Sequence, residues 1–151
     1  MHRNPSRPMS PHLTIFKWGP HMLVSILHRV TGTGLATLGA ALFVWWLVAL
    51  ASGPEAYAGF TAWLGALGGA GFTVEKDAWE WIKYAFWAAI GIGLTWALFQ
   101  HMLSGIRHLV MDIGAGYELR ANRLWAVMTL VGALLLTVLA WGAMILWRMA
   151  A

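Results

Sequence analysis

Five polar or small residues in the second half of the chain recur at a spacing typical of one helix face: His101, Ser104, Gly105, His108 and Asp112. Their offsets from His101 are 3, 4, 7 and 11 residues, and positions three or four apart are neighbours on a helix. His101 lies within an apolar run, ~9 Å of helix before the next charge at Arg107. A polar face in lipid is unfavourable, so it usually points inward and has a function. A deep neutral imidazole can ligate haem iron, or it can hydrogen-bond to another helix.

Other features of this segment bear on the haem hypothesis. Gly105, one turn after His101, would let a flat macrocycle lie close to the backbone. Asp112 is one turn from His108 and can orient and charge it. Arg107 points elsewhere on the helix, where we expect it to reach headgroups or a partner, and Gln100 lies on another face than His101.

A second polar face precedes the first long apolar run and consists of Ser25, His28, Arg29 and Gly32. The offsets of 3, 4 and 7 again place these residues together on a helix. The guanidinium of Arg29 presents a fork of donors that suits a carboxylate or a carbonyl oxygen. The alternative is an interfacial anchor in which Arg29 reaches lipid phosphate and His28 has no role.

The composition identifies the elements that must position these side chains. Hydrophobic residues make up 60% of the 151 residues and charged residues 11%, whereas a soluble domain averages about 25% charged. Three uncharged runs are each long enough for a spanning helix of ~20 residues. We therefore predict an all-α membrane protein, a single domain over residues 1–151 with spans at about 22–50, 83–112 and 124–148. Gly53-Pro54 and Gly68 to Gly71 mark turns in the first connection, in which Tyr57 to Leu67 forms either a short helix or a packed loop.

The basic residues predict the orientation of the spans. Seven lie on one side of the predicted spans (Arg3, Arg7, Lys17, Arg29, Arg107, Arg120, Arg123) and three on the other (Lys76, Lys83, Arg148). Basic residues favour the cytoplasmic side, which places the N-terminus in the cytoplasm and the C-terminus outside, in the periplasm of a bacterium. Because these charges are scattered singly beside apolar runs, the net charge of +4 favours membrane topology and not nucleic-acid binding.

The cysteine count limits the redox chemistry open to the chain. There is no cysteine, so the chain has no disulfide, no thiolate ligand for an iron–sulfur cluster and no covalent c-type haem. Any redox function must use histidine-ligated haem, a quinone or the cofactors of a partner. No signal peptide is recognised, and the motif described next starts at Arg7, which leaves no room for a transit peptide and favours a bacterial inner membrane over a mitochondrial one.

Both polar faces belong to longer motifs. The segment RPMSPHLTIF runs from Arg7 to Phe16, SILHRVTG from Ser25 to Gly32, and HMLSGIRHLVMDIG from His101 to Gly114. The segments resemble the cytochrome b large anchor subunits of succinate dehydrogenase, respiratory complex II, and the resemblance follows the chain end to end in order.

The resemblance implies a function within a larger enzyme, in which the chain is not catalytic alone. A flavoprotein subunit oxidises succinate, an iron–sulfur subunit carries the electrons, and ubiquinone is reduced where that subunit meets this chain and a second small three-helix anchor subunit. The resemblance further implies that His101 is one axial ligand of a b-type haem whose iron takes its other histidine from the small anchor. It places His28, Arg29 and His108 near the haem propionates. It assigns Ser25 and Arg29 to the quinone site, and Asp112 to the polar network beside it.

Three other interpretations remain open from the sequence. The chain can be a self-contained or homodimeric b-type cytochrome, for which His28, close to the cytoplasmic edge of the first span, is the candidate second ligand. It can be a haem-free anchor of a fumarate reductase-type complex. It can also be a scaffold or transporter whose polar faces only join helices, although three spans without an inverted repeat are unlike a transporter.

Overall fold

A computed structural model of the chain describes residue 6 and residues 12–64 and 78–150. Within these ranges the protein forms five α-helices and a π-helical turn, with no strand. Parts of the sequence interpretation lie outside the described residues: Arg3, the Arg7 to Pro11 part of the first motif, the turns at Gly68 to Gly71, and Lys76. The fold can therefore be compared with the sequence for the three spans and for both polar faces.

The first span is a continuous helical rod built from three segments. Helix α1 covers Pro20–Gly34, a π-helical turn covers Leu35–Gly39, and helix α2 covers Ala40–Ala51. Pro20 occupies the first turn of α1. An N–H at this position has no intrahelical acceptor, so proline, which lacks one, removes no hydrogen bond from the helix. The π-helical turn, which the sequence pattern did not predict, carries one extra residue in the turn and so changes the face that α2 presents relative to α1.

The first connection contains a short helix, α3, over Pro54–Trp63. The segment predicted as either helix or loop is therefore helical from Tyr57 to Trp63, and its residues 65–67 lie outside the described residues. Gly53, at a φ of 104°, reverses the chain in a conformation that other residues rarely adopt. The buried ring of Phe60 meets Trp45 of α2 edge to face at 4.9 Å between centroids. Trp63 contacts Trp45 at 4.5 Å and Trp87 at 4.0 Å. Helix α3 is therefore held against the ends of the first and second spans by aromatic packing.

Two long helices complete the bundle. Helix α4 covers Ala78–Asp112 and helix α5 covers Leu119–Ala150, and the turn between them contains Gly114 and Gly116, both at positive φ. Among the residues that the structure describes, three helical stretches are long and apolar enough to cross a membrane, namely Pro20–Ala51, Trp81–Asp112 and Leu119–Trp147. This confirms the prediction of an all-α protein with three transmembrane helices. Helix α5 starts upstream of the predicted position, because its first turns are polar and lie before the apolar run.

The interior of the bundle is more polar than its outer surface. The buried residues include Thr31, Gln100, Ser104, Arg107, Thr129 and Thr137, whereas large apolar side chains are exposed along all three spans. This distribution suits a protein whose outer surface faces lipid. Helix α4 packs against both α1 and α5. Small residues on α5, such as Ala126 and Ala133, are fully buried and allow close approach of the helices, as is common in membrane bundles.

Candidate functional site

Two histidines from different spans stack in the interface between α1 and α4. The imidazole rings of His28 and His101 lie 4.0 Å apart between centroids, with 7° between their planes. His101 Nδ1 is 3.0 Å from the backbone carbonyl oxygen of His28. Because a carbonyl oxygen can only accept, Nδ1 of His101 carries the proton and donates it. The other ring nitrogen of His101, Nε2, makes no hydrogen bond with the described residues.

His28 is held in turn by Ser104 of α4. Its Nδ1 lies 2.7 Å from Ser104 Oγ, and that hydroxyl lies 2.7 Å from the carbonyl oxygen of Gln100. The hydroxyl has one proton, and the carbonyl can only accept it. All three groups are satisfied when His28 Nδ1–H donates to Ser104 and Ser104 donates to Gln100. Both imidazoles therefore have a fixed tautomer, and their Nε2 atoms make no hydrogen bond with any described residue.

A glycine on α1 makes room for the ring of His101. A Cβ added at Gly32 would lie 2.7 Å from His101 Cε1 and 3.2 Å from Nδ1, closer than ordinary van der Waals contact. Gly105 of α4 is less constrained, because a Cβ there would meet His28 Cε1 at 3.7 Å. Of the two glycines in the polar faces, Gly32 is therefore the one that the stacked histidine pair requires, because a side chain at this position would collide with His101.

The polar face of α4 is assembled as its spacing predicted, except at its last member. His101, Ser104, Gly105 and His108 all lie toward α1, and His108 meets the ring of His28 edge-on at 5.1 Å between centroids. Asp112 is exposed at the end of α4. Within the described part of the chain, no hydrogen bond or ion pair joins its carboxylate to His108. The expected pairing of these two side chains is therefore not formed in this structure.

The polar face of α1 is divided between two directions. His28 and Gly32 face α4, whereas Ser25 is half-buried and Arg29 is exposed. No described residue forms a hydrogen bond or an ion pair with the Arg29 guanidinium. Ser25 and Arg29 thus lie on an edge of α1, next to the histidine pair, that the described part of this chain leaves open.

The position of the Arg107 side chain differs from the one expected from the sequence. We expected its side chain to reach headgroups or a partner, but it is only 5% exposed and donates from Nη2 to Asn122 Oδ1 of α5 at 2.7 Å. The reason is its position one turn after Leu103, which packs on Gly132 of α5, so that both point toward the same helix.

Gln100 is a buried polar residue to which the sequence analysis gave no role. Its side chain is fully buried, and neither amide atom has a hydrogen-bond partner among the described residues. Its spacing of four from Ser104, together with the polar residues that follow on α4, is the signal that could have placed it inside the bundle. No group of three histidine, aspartate or glutamate side chains in the described ranges is arranged to hold a metal ion.

The fold and the site together define a class: a three-span helical membrane protein with a histidine pair between its first two spans. Comparison with known proteins identifies its family. Residues 3–140 match the model of the succinate dehydrogenase/fumarate reductase transmembrane subunit. The chain therefore belongs to this family of transmembrane subunits.

Individual relatives from bacteria and mitochondria agree with the family match. The chain is 32% identical over 134 residues to the succinate dehydrogenase cytochrome b556 subunit of Paracoccus denitrificans, covering 89% of this chain and 88% of that one. It is 33% identical over 138 residues to the subunit of the same name from Rickettsia conorii, covering 89% and 90%. It is 35% identical over 130 residues to the mitochondrial cytochrome b560 subunit of Mus musculus, covering 86% of this chain and 67% of that one.

Proposed function

We propose that this chain is the cytochrome b membrane-anchor subunit of a succinate:ubiquinone oxidoreductase, contributing one haem ligand and part of the quinone site. The family and the names of the relatives support the assignment to succinate dehydrogenase. The observation that carries the haem assignment is the tautomer of His101, whose Nδ1–H donates to a carbonyl and whose Nε2 has no hydrogen-bond partner in the described ranges. The proposed partners are a flavoprotein, an iron–sulfur subunit and a second small three-helix anchor.

The residues around His101 suit a b-type haem. Haem ligands commonly donate the proton of the second ring nitrogen to a carbonyl, which fixes the ring and raises its basicity as a ligand, and His101 makes this bond to His28. Bound haem would supply reversible one-electron transfer. In this proposal His101 would hold the iron, and His28, Arg29 and His108 would place positive or hydrogen-bonding groups near the propionates.

The second axial ligand is proposed to come from the small anchor subunit. The rings of His28 and His101 are stacked face to face. The lone pairs of their nitrogens lie in two parallel planes and do not point at each other. This arrangement does not suit His28 as the opposite ligand of His101. A self-contained cytochrome needs two opposite histidine ligands, and the pair of His28 and His101 does not provide them. The arrangement therefore favours a haem shared with a partner subunit.

The open edge of α1 supports the proposed quinone site. Ser25 and Arg29 offer a hydroxyl and a guanidinium that the described part of this chain leaves without side-chain partners. Both can donate to a quinone carbonyl, and the charged donor gives the stronger bond. Asp112 is proposed only as a more distant acid of the same network, since it is exposed at the end of α4.

The proposed location is a bacterial inner membrane, with the N-terminus and the quinone site toward the cytoplasm. The excess of basic residues at that end supports this orientation. It would bring Arg29 to the side on which a soluble iron–sulfur subunit docks. The relatives come from the bacteria Paracoccus denitrificans and Rickettsia conorii and from the mitochondrion of Mus musculus, so they agree with an inner membrane of either kind.

A reduced-minus-oxidised absorption spectrum tests the shared haem. We expect the chain purified alone to show no stable b-type band and the complex purified with its partners to show one, because half of the ligation comes from outside. Full haem retention by the chain alone would favour the self-contained cytochrome. A complex that turns over without any haem band would favour the haem-free anchor of a fumarate reductase-type complex.

A Gly32→Ala variant tests whether His101 is the ligand without altering any polar group. The added Cβ would lie 2.7 Å from His101 Cε1, so the ring must move away from its position over His28. We expect the haem content of the assembled complex to fall by about 10-fold, the lower end of the effect of disturbing a metal ligand's support.

Gly34→Ala is the matched control for this experiment. It lies in the same helix, and a Cβ there meets nothing within 4 Å, while alanine improves helix propensity by about 1 kcal/mol. Gly34→Ala should keep the haem content of the unmodified complex. Equal haem content in both variants would contradict the assignment of His101.

A further inference from the structure

We infer that Ser104 is a positioning residue for the haem ligand, acting on His101 through His28. The inference rests on the proposed function, because it needs His101 to be a ligand. The chain of contacts runs from Ser104 Oγ to the ring of His28, and from the backbone and ring of His28 to His101. Ser104 itself need not touch the cofactor.

The first link holds the ring of His28. Ser104 is fully buried, and its hydroxyl accepts from His28 Nδ1 at 2.7 Å across the α1–α4 interface. The same hydroxyl donates to the carbonyl of Gln100 at 2.7 Å, with the carbonyl of His101 at 3.1 Å. A donor bond to its own helix fixes the direction of the hydroxyl, so its lone pair faces His28.

The second link passes from His28 to His101 in two ways. The carbonyl oxygen of His28 accepts the Nδ1–H of His101 at 3.0 Å, and the two rings stack at 4.0 Å with 7° between their planes. A fixed ring of His28 therefore limits the tilt of His101, while the carbonyl limits its rotation. Thr31 adds a longer contact from its hydroxyl to His101 Nδ1 at 3.4 Å.

Two other buried hydroxyls provide a comparison for the bond between Ser104 and His28. Thr129 and Thr137 of α5 are also buried, and each donates to a carbonyl of its own helix. Neither makes a further side-chain bond among the described residues. Ser104 makes the same bond to its own helix and one more to a residue 76 positions away, so its hydroxyl has a role that satisfying its own polarity does not explain.

The experiment uses the complete complex carrying Ser104→Ala or Ser104→Cys. Supports of metal ligands typically contribute 10- to 100-fold to affinity. We expect Ser104→Ala to raise the haem dissociation constant by roughly 10-fold or more, and to shift the midpoint potential upward, since a less firmly held imidazole is a weaker donor to ferric iron. Ser104→Cys keeps a hydrogen-bonding atom at the same position but is a weaker acceptor, so its effects should have the same direction and be smaller.

Thr129→Val is the matched control, because it removes a buried hydroxyl that bonds only to its own helix. It should change neither the potential nor the electron paramagnetic resonance g-values of the haem. The inference is overturned when both Ser104 variants retain the potential and haem affinity of the unmodified complex, or when Thr129→Val shifts them equally. Should Ser104→Ala fail to assemble, Ser104→Cys decides the outcome by itself.

Failure of the proposed function gives a different result from failure of this inference. A complex without a haem band, or one whose band survives His101→Ala, overturns the proposed function. A normal band that depends on His101 but is indifferent to Ser104 overturns only the positioning role.

Discussion

Replacing His101 with alanine is expected to remove the b-type absorption band from the assembled complex. Among the described residues of α4, only His101 has one ring nitrogen bonded to a backbone carbonyl and the other without a hydrogen-bond partner. The proposed haem would lose the iron ligand that this chain supplies, and the methyl group of alanine cannot replace it. The haem content per complex, measured by absorption after purification, should fall to the background level.

Two other histidines provide controls for His101→Ala. His21 is exposed near the start of α1, so His21→Ala should leave the band unchanged. His108 is half-buried and meets His28 edge-on, so His108→Ala should keep the band and alter only its potential. Retention of the full band by His101→Ala, or its loss in His21→Ala, would contradict the ligand assignment.

The fold was largely predictable, because lipid imposes a simple rule on composition. A span must be apolar for ~20 residues and must satisfy its backbone bonds internally, so three helices follow from three uncharged runs. The π-helical turn at Leu35–Gly39 was not predictable. Residue types alone do not specify an extra residue in a helical turn, which depends on how α1 and α2 pack against their neighbours.

Helix periodicity predicted which side chains of the candidate site share one face of α4. The spacing of His101, Ser104 and His108 placed them on one face, and the structure brings that face against His28. Periodicity does not tell which neighbouring helix a face meets, which explains why the burial of Arg107 against Asn122 was missed.

The face of α1 shows a second limit of periodicity. A helix face is wide enough for His28 to point into the bundle while Arg29, the next residue, is exposed. Spacing grouped the two residues, but only the packed bundle separates an inward residue from an outward one. The separation has a consequence for function, because it leaves the charged donor available to a molecule outside this chain.

Replacing Arg29 with alanine is expected to lower quinone reduction by roughly 10- to 100-fold, the effect of losing a hydrogen bond from a charged donor. The exposed guanidinium has no partner among the described residues, so its removal leaves no group of the described chain unpaired. Succinate oxidation measured with an artificial dye acceptor should continue, since the dye takes electrons before the quinone site. Steady-state rates with ubiquinone and with the dye, measured on one preparation, give the comparison.

Two variants make the Arg29 experiment specific. Ser25→Ala removes a neutral donor and should lower quinone reduction by only about 2- to 10-fold. Arg123→Ala removes another exposed arginine, at the start of α5, and should have no effect, which separates a local contact from a general loss of positive charge. Equal losses in the Arg29 and Arg123 variants would indicate that charge alone matters. Unchanged quinone turnover in Arg29→Ala would refute its role, and the open edge of α1 would then have to be explained as a surface for protein or lipid contact.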